Sequence, residues 1–158
     1  MKGITFYLLF FLIVFCTIAF LLFSQKWAIE PESLRLVILC GLFGGIGGVT
    51  YCLRGVYLNA CVYKSWDKIW LPWYFIRPIV SCICGVISLL FLKAGLIVLE
   101  AKPNVDATHL TFYALSFIAG LNVDNFIKKL EDIAQVTWGI KKSRTSEKED
   151  TDVADKDS

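Results

Sequence analysis

The chain has 158 residues, of which 56% are hydrophobic and 19% are charged, and its formal net charge is +2. Soluble domains contain about 45–50% apolar and about 25% charged residues, so this composition indicates a membrane protein. The small net charge gives no reason to expect nucleic acid binding, and the length excludes a large soluble domain beside a membrane domain.

The first apolar segment, Gly3–Phe23, contains no charged residue. It is longer than the roughly 7–15 apolar residues of a signal peptide, and no small-x-small cleavage site ends it. We therefore predict a retained first transmembrane helix, which places the lipid bilayer among the partners of the chain. A short polar loop follows, in which Pro31 is the helix breaker.

A second transmembrane helix is predicted over Leu34–Tyr57, and its centre is rich in glycine. Gly41 and Gly45 are four residues apart, and so are Gly44 and Gly48, which puts small residues on two adjacent faces. We predict that these glycines pack helices together and join copies of the chain into a homo-oligomer. A phosphate-binding glycine loop is not indicated, because no strand precedes the glycines and no Lys-Ser/Thr follows them.

The connection Leu58–Arg77 interleaves aromatic and basic residues. Such a mixture is typical of the water–lipid boundary, where amphipathic rings and long cationic side chains are both stabilised. We predict an interfacial elbow on the membrane surface, rather than a platform that stacks single-stranded nucleic acid, because apolar helices flank it on both sides. The predicted anchors are Trp66, Trp70, Trp73, Tyr74 and Arg77.

Two further transmembrane helices are predicted, over Pro78–Leu99 and Ala107–Leu121. Pro78 fits a first turn, where its missing N–H costs nothing. Lys93 is expected to snorkel to the boundary, with a pore-facing or partner-facing role as the alternative. The fourth helix is short for a span. His109 at its start is expected to be a polar surface residue, with a pH-sensitive contact as the alternative.

The hydrophobic period changes after the fourth helix. Asp124 can cap a new helix, Asn125–Trp138, in which apolar residues recur at spacings of three and four while charged residues fill the other face. The apolar stripe needs burial against the membrane surface, a copy of itself or another protein. The residues predicted to face a possible cytosolic partner protein are Phe126, Ile127, Leu130 and Ile133.

The predicted fold class is an all-α membrane protein with four transmembrane helices and an amphipathic cytoplasmic helix. The predicted domains are a transmembrane domain at 1–123, the amphipathic helix at 124–142 and a disordered charged tail at 143–158. Lysine and arginine are densest after the second and the fourth helices. The positive-inside rule therefore predicts that both termini lie in the cytoplasm.

The sequence shows no recognisable constellation of catalytic residues. One histidine cannot build a zinc site, and the six cysteines include no C-x-x-C pair, so they are expected to be small apolar fillers in membrane helices. Acidic residues are absent from Leu36–Leu53 and from Pro78–Leu99, which argues against an ion-coupled transporter. We therefore expect no enzyme activity, no cofactor and no bound metal.

Two motifs carry a resemblance over about the second half of the chain. The segments Arg77-Pro78-x-x-Ser81-x-x-x-Gly85 and Phe112-Tyr-Ala-Leu-Ser-Phe-Ile-Ala-Gly120 resemble small bacterial four-span membrane proteins. In these, Arg-Pro enters the third span and Phe-x-Ala-Gly closes the fourth, before a cytoplasmic helix. Such proteins look like membrane subunits of anti-phage defence systems such as Kiwa, in which a membrane subunit is paired with a cytosolic effector.

The favoured function is thus a membrane subunit of an oligomeric assembly that presents its cytoplasmic helix to a partner protein, in anti-phage defence if the resemblance holds. An oligomeric pore lined by the glycine-rich second helix or by polar residues of the fourth is the first alternative. A small-solute transporter is the second alternative, disfavoured by the absence of intramembrane acids and of an evident inverted repeat.

Overall fold

The computed structural model of the chain describes residues 2–24, 31–62, 68–94 and 105–140, and these residues are mostly helical. No β-strand occurs among these residues, so the predicted all-α class is confirmed. The α-helices among the described residues are α1 (Lys2–Phe23), α2 (Glu32–Tyr57), α3 (Leu71–Lys93), α4 (Val105–Leu121) and α5 (Val123–Trp138).

Helix α2 lies at the centre of the bundle, where it contacts α1, α3 and α4, and α3 also contacts α4. One apolar cluster joins Leu8 near the start of α1 to Val56 near the end of α2 and to Tyr74 near the start of α3. A second cluster joins Leu22 at the end of α1 to Leu36 at the start of α2. Helices α1, α2 and α3 therefore run antiparallel to their neighbours in sequence.

In the described part of the chain, three helices are long and apolar enough to cross a membrane, over Gly3–Phe23, Glu32–Val62 and Leu71–Lys93. Helix α4 has 17 residues, which gives about 25 Å of rise against a hydrocarbon core of about 30 Å. It reaches the length and hydropathy of a span only when it is joined to α5 as one broken span. The described helices are therefore compatible with a multi-pass membrane protein of three to four spans, and the count of four stays a prediction.

Helix α1 buries only one narrow face against the rest of the bundle. Ile4, Leu8, Ala19 and Leu22 are buried along it, whereas other large side chains such as Phe6 lie on the surface. Because the outward residues are as apolar as the buried ones, this surface suits hydrocarbon rather than water.

Helix α2 continues past its predicted end at Tyr57 through a wider π-helical turn, Leu58–Val62. Together the two segments contain 31 residues, or about 46 Å of rise, which is more than the hydrocarbon thickness. The last turns of this helix fall within the connection Leu58–Arg77, for which the sequence predicts an interfacial elbow.

The predicted start of the third helix at Pro78 is wrong. Helix α3 begins at Leu71, after a 3-10 turn at Lys68–Trp70, and Pro72 occupies its first turn. Pro78 lies inside α3 and is fully buried. By local sequence alone, either proline could stand in the first turn of the helix. The helix begins at the earlier proline because this allows Tyr74 and Arg77 to pack into the bundle as helical residues.

Helix α3 extends to Lys93, which is exposed in its last turn, where a cation interacts favourably with the helix dipole. The predicted end at Leu99 lies outside the described residues. Helix α4 begins at Val105, two residues before the predicted start.

The chain divides into two compact units between Val123 and Asp124. In the second unit, Asp124 stands in the first turn of α5, where an acidic side chain complements the helix dipole. The helix ends at Trp138, and Gly139 follows with a φ of 67°, a left-handed conformation that glycine adopts without strain. The predicted tail, from residue 143 onward, lies outside the described residues.

Candidate functional site

Three helices meet backbone to backbone at a crossing of three glycines. A Cβ atom added to Gly44 of α2 would lie 2.5 Å from the Ser81 carbonyl oxygen and 2.8 Å from the Cα of Gly85 on α3. A Cβ atom on Gly120 of α4 would collide with the carbonyl group of Gly44. No side chain fits at this crossing, so α2, α3 and α4 approach as closely as small residues permit in a membrane.

The remaining predicted packing glycines also face helices of the same chain. A Cβ atom on Gly41 would contact the Val86 side chain of α3. A Cβ atom on Gly45 would be too close to the Cys82 sulfur and to the Phe15 ring, and one on Gly48 would overlap the Ser81 side chain. The glycine faces predicted to join copies of the chain are thus occupied within one chain. A second copy of the chain has no room to pack against these glycines, because α1, α3 and α4 of the same chain already contact them.

A cluster of buried serines lies beside the glycine crossing. The Ser81 hydroxyl donates to the Gly120 carbonyl at 3.0 Å, which ties α3 to α4. Ser88 and Ser116 both reach the Gly85 carbonyl, at 2.8 Å and 3.1 Å, and their oxygen atoms are 3.1 Å apart. Each hydroxyl has one proton. One of the two serines therefore donates to the Gly85 carbonyl, and the other donates either to that carbonyl or to the hydroxyl of the first serine. All three serines are fully buried.

Replacing Ser88 or Ser116 with alanine is expected to reduce the free energy of unfolding by about 1 kcal/mol, because a buried interhelical hydrogen bond is lost. The double replacement should cost less than the sum of the two single changes, since both hydroxyls share the Gly85 carbonyl. Unfolding titrations in detergent measure all four proteins. Strictly additive losses would contradict a shared network.

An arginine lies inside the bundle against two aromatic rings. The Arg77 guanidinium carbon is 4.8 Å from the centroid of the Tyr51 ring and 5.0 Å from that of the Trp73 ring, and only 4% of the residue is exposed. Tyr74, in the preceding turn, is 2% exposed. The structure therefore places two of the predicted interfacial anchors within the bundle, where the ring faces stabilise a desolvated cation.

A cleft of about 560 Å³ opens beside this buried arginine. Its walls come from the end of α2, from the π-helical turn and from the start of α3. Within it, the Asn59 amide donates to the Tyr74 hydroxyl at 3.3 Å. The described residues that line it are Tyr51, Arg54, Gly55, Leu58, Asn59, Trp70, Trp73 and Tyr74. We call it the aromatic cleft. Trp66, another predicted anchor, lies outside the described residues.

A second cleft, of about 400 Å³, lies at the opposite end of the bundle, where Glu32, Arg35, His109 and Tyr113 are among its lining residues. Arg35 donates to the carbonyls of Leu22 and Phe23 at the end of α1, groups that have no partner within their own helix. This arginine therefore holds the end of α1 against α2. The predicted polar surface residue His109 is half-buried here, within 6.5 Å of the Phe112 ring.

The residues predicted to face a partner protein all lie on α5. Phe126, Leu130 and Ile133 are half-buried, and Ile127 is exposed. Val136 and Trp138, near the end of the helix, are 88% and 59% exposed. The apolar stripe of α5 is thus only partly buried, and Val136 lies outside it, on the same face as Lys129 seven residues earlier.

Among the residues the structure describes, no three histidine, cysteine or acidic side chains gather where a metal ion could be held. Of the six cysteines, Cys40, Cys52 and Cys84 are buried in the bundle, and Cys16 and Cys61 are exposed. Comparisons with protein-family models, with curated proteins and with solved structures found no match. The resemblance to defence-system membrane subunits therefore stays a prediction.

The buried serine cluster and the aromatic cleft were not predicted from the sequence, although the spacing of the serines indicates a helix contact. Ser81, Gly85 and Ser88 are spaced by four and three residues, so they lie on one face of a helix. Small and polar residues on one face of a membrane helix are typical of an interhelical contact. The aromatic cleft left no such signal, because it forms from residues on separate helices.

Proposed function

We propose that this chain is a polytopic membrane subunit that presents α5 to a cytosolic partner protein. The observation that carries the proposal is the contrast between the two units. Helices α2, α3 and α4 meet backbone to backbone, whereas α5 has a charged side and an apolar stripe that is half-buried at Leu130 and Ile133 and exposed at Ile127. Helices of this kind bind apolar grooves of other proteins through residues spaced by three and four.

The proposed setting is a bacterial inner membrane with both termini in the cytoplasm. Arg54 in the last turn of α2, and Lys128 and Lys129 on α5, supply cations of the kind that stay on the cytoplasmic side. This arrangement requires α4 to complete a fourth crossing. An anti-phage role extends the proposal further and rests on the resemblance of the α3 and α4 motifs.

The proposed oligomer needs a surface other than the glycine faces. Ile76, Ile79, Ile83 and Leu90 are exposed on α3, and their spacings of three, four and seven residues form one stripe along the helix. We propose that copies of the chain associate along this stripe. A pore along the glycine face of α2 is disfavoured, because that face is in contact with backbone atoms of α3 and α4.

The test is co-expression of the tagged chain with the products of the genes encoded beside it. We expect one of them to copurify, and native mass spectrometry of the complex reports the copies of each chain. Replacing Ile127 or Leu130 with aspartate should abolish this copurification, because a charge would be buried without a partner at the interface.

Gln135→Asp is the matched control, since it introduces the same side chain and the same change of charge at an exposed polar position of α5. It should leave the complex and the membrane extraction of the chain intact. Equal copurification with wild type, Ile127→Asp and Gln135→Asp would contradict the role of α5. If the gene set includes a defence effector, plating efficiency of phages on cells carrying each variant tests the anti-phage role separately.

A further inference from the structure

The aromatic cleft has the charge pattern of an anion site. Arg54 lines it, and no acidic residue occurs among its eight described lining residues. A second cation, Arg77, lies on the rings of Tyr51 and Trp73, which form part of the cleft wall. In the cleft at the other end of the bundle, by contrast, Glu32 accompanies Arg35.

Four aromatic side chains in one cleft could also indicate a cage for a quaternary ammonium group. That interpretation fails here, because Arg77 already occupies a position over the Tyr51 and Trp73 rings. A bound cation would also meet the Arg54 guanidinium, which lines the same space. Two positive charges beside a region of low dielectric favour an anion instead.

We propose that the aromatic cleft binds a phosphate group, with Arg54 as its principal ligand. The arginine fork matches two phosphate oxygens, and Asn59 and Trp70 bring further N–H donors to the same lining. This site is independent of the partner helix α5 and of the function proposed for it.

The position of the cleft gives a phosphate two routes of entry. Arg54 is in the last turn of α2, and Trp70 directly precedes α3, so the lining residues gather at the ends of two membrane-length helices. Tryptophan, tyrosine and arginine at such ends lie at the level of lipid headgroups. The phosphate can therefore belong to an anionic phospholipid or to a soluble ion from the water side.

The full chain, purified in mild detergent, is titrated with phosphatidylglycerol or with phosphatidylcholine, and bound lipid is counted by native mass spectrometry. In a separate arm, thermal stability is measured in sodium phosphate and in sodium chloride of equal ionic strength. We expect phosphatidylglycerol to be retained in preference to phosphatidylcholine. Arg54→Gln should weaken that retention by about tenfold, because a charge-assisted hydrogen-bond pair to phosphate is lost.

Lys93→Gln is the control, since it removes one exposed positive charge at the other end of α3, and it should leave the preference unchanged. Stabilisation by phosphate ion alone, absent in Arg54→Gln, would also support the site and would assign its source to the water. An equal preference for phosphatidylglycerol in wild type and Arg54→Gln, without any effect of phosphate ion, would overturn the proposal. So would preferential retention of phosphatidylcholine by the wild-type chain.

Discussion

Replacing Gly120 with alanine is expected to lower the free energy of unfolding by about 3 kcal/mol, toward the upper end of the cost of overpacking. The added methyl group would collide with the Gly44 carbonyl, and a backbone atom cannot rotate away as a side chain can. Alanine has the better helix propensity by about 1 kcal/mol, so propensity alone predicts the opposite sign. Unfolding titrations in detergent distinguish the two outcomes.

Gly3→Ala is the matched control for this experiment. Gly3 is also a helical residue, and a Cβ atom added there would meet no atom within 4 Å. Its replacement should leave the stability unchanged or raise it slightly. If Gly120→Ala and Gly3→Ala behaved alike, the close approach of α2 and α4 would be refuted. Gly44→Ala should resemble Gly120→Ala, because both residues belong to the same crossing.

Replacing Tyr51 and Trp73 together with leucine is expected to reduce the free energy of unfolding by about 3–5 kcal/mol. Part of this loss is packing, because two large rings are truncated. The rest arises because the Arg77 guanidinium would remain in the bundle without the ring faces that stabilise it. Desolvated interactions of this kind contribute about 2 kcal/mol or more.

The electrostatic part can be separated by repeating the two ring replacements in an Arg77→Met background. Methionine has a similar length and no charge, so the rings then contribute packing alone. We expect the same ring replacements to cost about 2 kcal/mol less in this background. An identical cost in both backgrounds, measured by the same unfolding titrations, would show that the rings do not stabilise the cation.

The sequence predicted the membrane helices well where the bilayer itself imposes the pattern. Hydrocarbon requires long uncharged stretches, so Gly3–Phe23 was recognisable without knowledge of its neighbours, and α1 spans Lys2–Phe23. The start of α3 does not follow from such a pattern, because Pro72 and Pro78 satisfy the same local rule for a first helical turn. Only the burial of Tyr74 and Arg77 in the bundle distinguishes them, and burial depends on other helices.

The glycines and the aromatic residues likewise show that a local pattern does not reveal which helix a residue packs against. A spacing of four between Gly44 and Gly48 indicates that a backbone can approach closely, but it carries no information on whether that backbone belongs to the same chain. Arg77 and Trp73 have the composition of a boundary segment. Their mutual packing is a property of the folded bundle, so the aromatic cleft could not be derived from their order in the sequence.

The glycine crossing also bears on how the bundle closes during synthesis. Gly44 contacts both Gly85 and Gly120, so the same short stretch of α2 must be free of lipid when α3 packs against it and when α4 packs against it. Because α4 is the last of the four bundle helices to be made, we expect the crossing to stay incomplete until α4 has docked.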